Sequence, residues 1–292
     1  MVSIHRYFLH NGNIREASEA SLFAGQLGLL SGWGVFSTLR VAEGAMFAWE
    51  KHWARMSRDA RLLNVEMPAH PNAVERDIIR LIDANQAPDC TLRLVVVRNS
   101  GGLWQGPSSG LAADTIVLTA DLKNWGESIR LSIQPNARYA ASEFTSAKIL
   151  SWAANLRWAE RAQEQGFDEV ILLNEMGRVS ECTSANIFAA FGKRVVTPPI
   201  SEGCLPGVTR DVLVHEIHVP EVEVIERPLA LEELYEADGV FITSTTRGLL
   251  RVREIAGRAL ENRGDACDRL GRAFLAYLRA DIARRKTAAV TV

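Results

Sequence analysis

The chain has 292 residues, 47% hydrophobic and 23% charged, with a formal net charge of −2. That balance gives no electrostatic reason to expect nucleic acid or an anionic membrane as a partner, and no apolar run approaches the ~20 residues a bilayer crossing needs. The N-terminal stretch lacks the apolar core of a secretory signal. Its four cysteines (Cys90, Cys182, Cys204 and Cys267) are scattered without metal-ligand spacing, so a reduced, cytoplasmic, metal-free globule of one large or two medium domains is the expectation.

Residues 4–9 form a short apolar run followed by Asn11-Gly12, a hairpin signal. Glycines at 25, 28, 32 and 34 break Phe23 to Val41 into short pieces, with strand character over Val35 to Val41. Met46 to Asn64 repeats Trp49, Trp53, Met56 and Ala60 at helical spacing, and His52 and Arg55 share a face of that helix. A second helix is predicted over Asn72 to Asn85, then a strand over Thr91 to Val97 that delivers Arg98 into a Gly-rich loop. A strand ending this way presents an arginine to a substrate carboxylate, and Arg93, alternating with the core positions, is the other candidate. For both, a solvated strand-edge arginine is the competing reading.

Thr115 to Thr119 is a further strand, and 121–126 reads as a linker between an N-terminal domain, 1–120, and a C-terminal domain, 127–292. A strand restarts at Ile129. Lys148 follows a polar stretch and stands before an amphipathic helix predicted over Ile149 to Gln165, which Gly166 stops. Asn155 lies one to two turns into it. Next, Val170 to Leu173 and Arg178 to Glu181 flank the turn Asn174-Glu175-Met176-Gly177, which predicts a hairpin. Glu181 leaves that hairpin among small residues, where a buried carboxylate needs a partner.

The loop Gly203-Cys-Leu-Pro-Gly-Val-Thr-Arg210 runs into a helix continuing to Ile217; free N–H groups at a helix start beside a Thr hydroxyl make an anion site. His215 and His218 are ordinary helix-end residues. Val222 to Arg227 is a strand, Leu231 to Ala237 a helix, and Gly239 to Arg247 an apolar strand ending in hydroxyl residues and an arginine. Ala266 to Arg284 is a long amphipathic helix with a solvated Arg284-Arg285-Lys286 tail. Strands and helices mix in both halves, an α/β (mixed α+β) fold in two domains.

A lysine, a buried glutamate and an anion cradle are the parts that hold pyridoxal 5'-phosphate: the lysine makes the Schiff base, and the glutamate pairs with the protonated pyridine nitrogen. On Glu181-Cys-Thr-Ser-Ala-Asn-Ile-Phe188, Thr197-Pro-Pro199 and Leu205-Pro-Gly-Val-Thr-Arg210 the chain resembles the class IV (fold-type IV) aminotransferases, which include branched-chain aminotransferases, D-amino acid aminotransferases and aminodeoxychorismate lyases. The resemblance spans nearly the whole chain. It implies Lys148 as the catalytic lysine, with the cofactor bound by Arg55, Lys148, Glu181, Val208, Thr209 and Thr245 in the interdomain cleft. Met56 stands where the family pattern has leucine after that arginine. The resemblance also places Phe36, Ser37 and Thr38 at the substrate, gives Thr246 and Arg247 as backbone donors for the substrate carboxylate, and implies a homodimer.

Transamination between a branched-chain or similar hydrophobic L-amino acid and a 2-oxo acid such as 2-oxoglutarate is the first expectation. An aminodeoxychorismate lyase is the alternative, favoured by Cys182 after Glu181 and by the loop Arg98-Asn-Ser-Gly-Gly102. D-amino acid and amine transaminases, and a pyridoxal phosphate binder without turnover, stay open.

Overall fold

The computed structural model describes residues 3–21, 23, 25–103 and 110–290; Ala24, within the glycine-broken stretch, lies outside them. The chain divides into two compact units. One comprises 1–123, 147–152 and 280–292, the other 124–146 and 153–279.

The first unit is built on an antiparallel sheet. Its strands are β1 (Tyr7–His10), β2 (Asn13–Glu16), β3 (Gly34–Ala42), β4 (Ala45–Met46), β5 (Cys90–Arg98) and β6 (Ala113–Ala120), in the order β2-β1-β6-β5-β3-β4. The β1–β2 hairpin turns at Asn11 and Gly12, both at positive φ (48° and 78°), as an Asn-Gly turn requires. The helices are α1 (Leu27–Ser31), α2 (Trp49–Leu62) and α3 (Pro71–Ala84).

Side chains alternate across each strand, so the two faces carry different chemistry. Val35, Leu39, Leu92, Leu94 and Val96 pack with Met56, Ala60, Ile78 and Leu81 of α2 and α3. The opposite face carries Phe36, Val95 and Val97 with Leu150 and Trp152.

Lys148 lies in the first unit, not with the C-terminal half where the sequence places it. The physical reason is a strand-like addition. Ile149 bridges antiparallel to Val35, Phe36 N–H donates to the Lys148 carbonyl (3.1 Å), and Leu150 N–H donates to the Gly34 carbonyl (2.9 Å). Gly34 permits the approach, since a Cβ there would lie 2.6 Å from Leu150. The helix expected from Ile149 therefore begins later, at α4 (Ala153–Glu164).

The second unit has a sheet of β7 (Ser128–Arg138), β8 (Glu169–Asn174), β9 (Val179–Cys182), β10 (Asn186–Phe191), β11 (Arg194–Thr197), β12 (Glu223–Glu226), β13 (Gly239–Ser244) and β14 (Gly248–Ile255), ordered β12-β11-β10-β13-β14-β7-β8-β9, with β15 (Arg258–Ala259) on β14. It is mixed: β7 runs parallel to both β8 and β14, and β11 to β12. Around it lie α4, α5 (Val208–His215), α6 (Leu231–Glu236) and most of α7 (Ala266–Val290). The core is aliphatic, with Leu131, Ile171, Ile187, Ile242 and Val252 fully buried.

In the Arg284-Arg285-Lys286 tail, Arg284 and Lys286 are exposed (72% and 50%), but Arg285 is not solvated. Arg285 pairs with Glu50, Glu75 and Asp281 and is 10% exposed. Asp281 Oδ2 also accepts the N–H of Ala48, 2.8 Å away. Ala48 is the left-handed residue before α2 (φ 51°) and brings no side-chain cap of its own, so the far end of the chain satisfies a donor at the start of this helix.

Candidate active site

In the first unit, α2 presents His52, Arg55 and Asp59 on one buried face, spaced three and four residues apart. Arg55 Nη2 donates to Ser37 Oγ (2.7 Å), which also bonds His52 Nδ1 (2.7 Å). Ser37 therefore faces the helices and not the substrate side expected for it, because strand alternation sends it opposite to Phe36 and Thr38. Burial pulls the Arg55 guanidinium down to about 10, still protonated at neutral pH, while the Asp59 carboxylate acts against that shift. Burial and the cations Arg55, Lys148 and Arg285 hold His52 well below its usual range, so it stays neutral.

Lys148 reaches the other face of this sheet. Its Nζ lies 4.6 Å from the centroid of the Phe36 ring and 5.7 Å from that of Trp152. The Arg93 guanidinium sits 4.0 Å from the same Phe36 ring, and Thr38 is its register partner across β3 and β5. Phe36, Thr38, Arg93 and Lys148 thus form one surface, aromatic and cationic, with Val95 and Val97 beside it. Arg98 is turned away into its own loop, with the guanidinium 4.4 Å from the Trp33 ring and Nε donating to the Ser100 carbonyl (2.8 Å).

In the second unit, Glu181 ends the hairpin that the sequence predicts, with Gly177 at φ 74° in its turn. The carboxylate is 6% exposed and fully partnered. Arg138 Nε donates to Oε1 (3.1 Å), its Nη2 lies 3.1 Å from the same oxygen as an ion pair, and Leu205 N–H donates to Oε2 (3.0 Å). Arg138 also reaches Asn155 Oδ1 (3.3 Å), and Asn155 Nδ2 donates to the Thr183 carbonyl (2.8 Å). Asn155 is thus a brace for Arg138. Arg138 itself escaped sequence reading, because its only local signal was an arginine at a strand end.

Val208 and Thr209 open α5 directly after Gly207. Gly207 is required there, since a Cβ would collide with Asn186 Oδ1. Asn186 Nδ2 in turn holds the loop through the Leu205 carbonyl (2.8 Å). Thr245 and Thr246 lie in the partly exposed turn between β13 and β14.

The Arg247 side chain is held within the second unit; the role expected of this residue at the substrate is that of a backbone donor. Its guanidinium pairs with Glu169 (3.3 Å), donates to the Ser184 carbonyl (3.2 Å) and stacks 3.9 Å from the Trp125 ring centroid. Glu169 also accepts from Ser184 Oγ (2.5 Å) and from Thr183, so this pair locks the segment after Glu181. Cys182 and Cys204 are buried thiols; burial raises Cys182 well above the usual range and Cys204 to about 12. Both are packing residues, inert at neutral pH.

Among the described residues, Arg55 Nε and Thr209 Oγ1 are buried without a hydrogen-bond partner. Orphaned buried donors are costly. Each, a guanidinium in the first unit and a hydroxyl at a helix N-terminus in the second, suits an acceptor oxygen such as those of phosphate.

The pattern of the class IV amino-transferase family matches residues 34–255. The chain belongs to the class IV aminotransferases. A Methanocaldococcus jannaschii protein named "Putative branched-chain-amino-acid aminotransferase" is 30% identical to this aminotransferase over 87% of its chain and 89% of the relative. The D-alanine aminotransferase of Bacillus licheniformis is 27% identical over 86% and 89%. The crystal structure of the branched-chain aminotransferase of Thermoproteus uzoniensis with norvaline superposes with a TM-score of 0.85 at 23% identity, covering 95% of this chain and 96% of that one. The aminotransferase therefore has the fold-type IV architecture.

Proposed function

We propose that this aminotransferase moves the amino group of a branched-chain or similar hydrophobic L-amino acid to a 2-oxo acid, with pyridoxal 5'-phosphate as cofactor. The observation that carries the substrate class is the surface beside Lys148: the Phe36 and Trp152 rings, 5.8 Å apart, with Val95 and Val97 in the same cluster. An apolar side chain gains by burial there, at roughly 25 cal/mol per Å². Arg93 supports the other half of the reaction, because among the described residues its guanidinium faces an aromatic ring and no carboxylate. Arg93 is the arginine we assign to the side-chain carboxylate of 2-oxoglutarate, in place of Arg98.

When bound, pyridoxal phosphate supplies an aldehyde carbon that joins to amines and a ring that accepts electron pairs. The Lys148 Nζ would hold the cofactor in the resting enzyme and, when free, would take the α-proton of the amino acid and deliver it to the former aldehyde carbon on the far side of the nitrogen, a 1,3 shift. Glu181, held by Arg138 and the Leu205 N–H, would keep the pyridine nitrogen protonated. Arg55, the Val208 and Thr209 backbone, Thr209 Oγ1 and Thr245 would hold the phosphate.

A panel of L-leucine, D-alanine, a primary amine and aminodeoxychorismate, each scored for its own product, tests the substrate. L-Leucine with 2-oxoglutarate is expected to turn over fastest. Formation of 4-aminobenzoate would assign the lyase instead, and D-alanine as the best donor would place the chain with its D-amino acid relatives. Arg93→Leu is expected to raise KM for 2-oxoglutarate roughly tenfold or more, the cost of one charge-assisted pair, with a smaller effect on L-leucine.

Arg55→Ala is expected to weaken cofactor binding about 10- to 100-fold, since a hydrogen bond to a charged group contributes about 1.5–3 kcal/mol. Excess pyridoxal phosphate should restore most activity, and the melting temperature at fixed cofactor should fall, because a ligand stabilises the state that binds it. Cofactor titration of the purified variant checks this; parent-like affinity would remove Arg55 from the phosphate.

A homodimer in the cytoplasm belongs to the same proposal. Leu29 and Leu30 of α1 are 58% and 49% exposed, apolar surface that a second copy would cover. Sedimentation of Leu30→Glu against the parent tests it. Among the described residues no helix is long and apolar enough to cross a membrane.

A further inference from the structure

The helix that carries Arg55 also carries a carboxylate to which neither phosphate nor substrate binding gives a role. Asp59 is 0% exposed. Its two oxygens have different partners. Oδ1 accepts from Nε and Nη2 of Arg58 (2.9 and 2.5 Å), and Oδ2 accepts the backbone N–H of Lys148 (3.0 Å) across 89 residues of sequence.

The second contact matters because of where it interrupts the sheet. Phe36 N–H donates to the Lys148 carbonyl and Leu150 N–H to the Gly34 carbonyl, which lays residues 148–150 antiparallel on β3. In a hydrogen-bonded antiparallel pair, the two residues exchange both of their N–H···O bonds. Phe36 and Lys148 share one of them, and the Lys148 N–H goes to Asp59. The ladder is broken off at the residue whose side chain extends over the Phe36 ring. The chain just before Lys148, residues 143–147, is turn and bend with no strand pairing. Asp59, held on a helix, is therefore the firm anchor on that side.

A buried carboxylate is an expensive anchor unless it is paired. Here Arg58 pairs with it, and Arg55, one turn back, gains from its charge. The return is a charge-assisted hydrogen bond, stronger and shorter than one to a neutral oxygen. We propose that Asp59 is a positioning residue: by accepting the main-chain N–H of Lys148 it fixes the backbone from which the Lys148 amine addresses the cofactor. The proposal rests on the reading of Lys148 as the cofactor-bearing lysine, and the same carboxylate supports the cationic Arg55, so one turn of α2 serves both ends of the cofactor.

The test uses the full-length protein in three forms: parent, Asp59→Asn, which keeps an acceptor oxygen without the charge, and Asp59→Ala, which keeps neither. Residue-resolved deuterium exchange of the Lys148 amide, measured without cofactor, reads the bond itself. The parent amide should be protected, Asp59→Asn should exchange within about threefold of it, and Asp59→Ala about 10- to 100-fold faster, the worth of one bond to a charged group. In the loaded enzyme, kcat of Asp59→Ala should fall about tenfold or more while KM for the amino acid stays within about threefold, and Asp59→Asn should recover most of the loss.

A parent Lys148 amide that exchanges as fast as those of residues 143–146 overturns the proposal, as does equal protection in Asp59→Ala. If the alanine variant does not fold, Asp59→Asn decides. A large loss of kcat there with the amide still protected would show that the charge acts and the bond does not. Borohydride reduction of the parent with pyridoxal phosphate, followed by peptide mapping, tests the lysine separately: a label on another lysine removes the functional reading, while the exchange result stands or falls on its own.

Discussion

Lys148→Ala is expected to abolish turnover, by at least about 10⁴-fold, and to leave no borohydride-reducible adduct with pyridoxal phosphate. General acid–base transfer alone contributes about 10²–10⁴, and this amine is assigned both the covalent hold on the cofactor and the proton transfer. The geometry gives the reason why a neighbour cannot substitute. The Lys148 backbone is fixed by Phe36 on one side and Asp59 on the other, and its Nζ stands 4.6 Å from the Phe36 centroid. Lys193 pairs with Glu221 on an exposed edge, and Lys123 is the last residue of the first unit's opening segment, 1–123. The adduct is read by mass of the reduced peptide. Recovery of the label at Lys123 or Lys193 in the parent would sink the assignment. Because the substitution removes a side chain without touching the backbone bonds to Asp59 and Phe36, the cofactor-free variant should melt close to the parent. Exogenous pyridoxal phosphate, which rescues Arg55→Ala, should rescue none of the activity lost here.

Those parts of the site that depend on local pattern were legible in the sequence, and those that depend on distant partners were not. The β8–β9 hairpin follows from Asn174 to Gly177, where glycine at φ 74° closes the turn and Asn174 Oδ1 accepts the N–H groups of Met176 and Arg178. The start of α5 follows from Gly207 and the hydroxyl behind it. Arg138 and Asp59 have no such signature: the first finds Glu181 across 43 residues and the second finds Lys148 across 89. The Arg247 side chain is a further case: its guanidinium finds Glu169, 78 residues earlier, a pairing with no local signature. The late start of α4 has the same origin, since Leu150 and Ala153 fit a helical period equally well. What overrides that period is the space Gly34 leaves for the Leu150 side chain, a tertiary event. Arg285 is the last case. Its basic neighbours Arg284 and Lys286 suggest solvation, but only the fold brings Glu50 and Glu75 to Arg285.

Glu181→Gln is expected to keep cofactor attachment at Lys148 and to slow the proton transfer by about 10²–10³-fold, the usual loss when one preorganised electrostatic contact is removed. Glu181 accepts N–H bonds from Arg138 Nε and the Leu205 backbone, with Arg138 Nη2 ion-paired 3.1 Å from Oε1. An amide oxygen can keep one or two of these, so the loop after Cys204 should stay in place. What glutamine lacks is the negative charge. Without it the pyridine nitrogen loses its proton, and electron density from the reacting carbon has no cationic ring to enter. The same change leaves Arg138 facing a neutral group. Breaking a buried pair costs about 3–5 kcal/mol when one partner is removed outright, and the penalty here should be smaller because the amide still accepts and Arg138 is 14% exposed. A fall of several degrees in melting temperature is therefore expected alongside the kinetic loss. The two effects separate in single-turnover measurements below the melting range, where the slow proton transfer persists in fully folded protein. Rapid-mixing absorbance with L-leucine reads it directly. A parent-like rate in Glu181→Gln, with the drop in melting temperature intact, would mean that this carboxylate serves Arg138 and the Leu205 loop, and that the ring nitrogen of the cofactor is met by some other group.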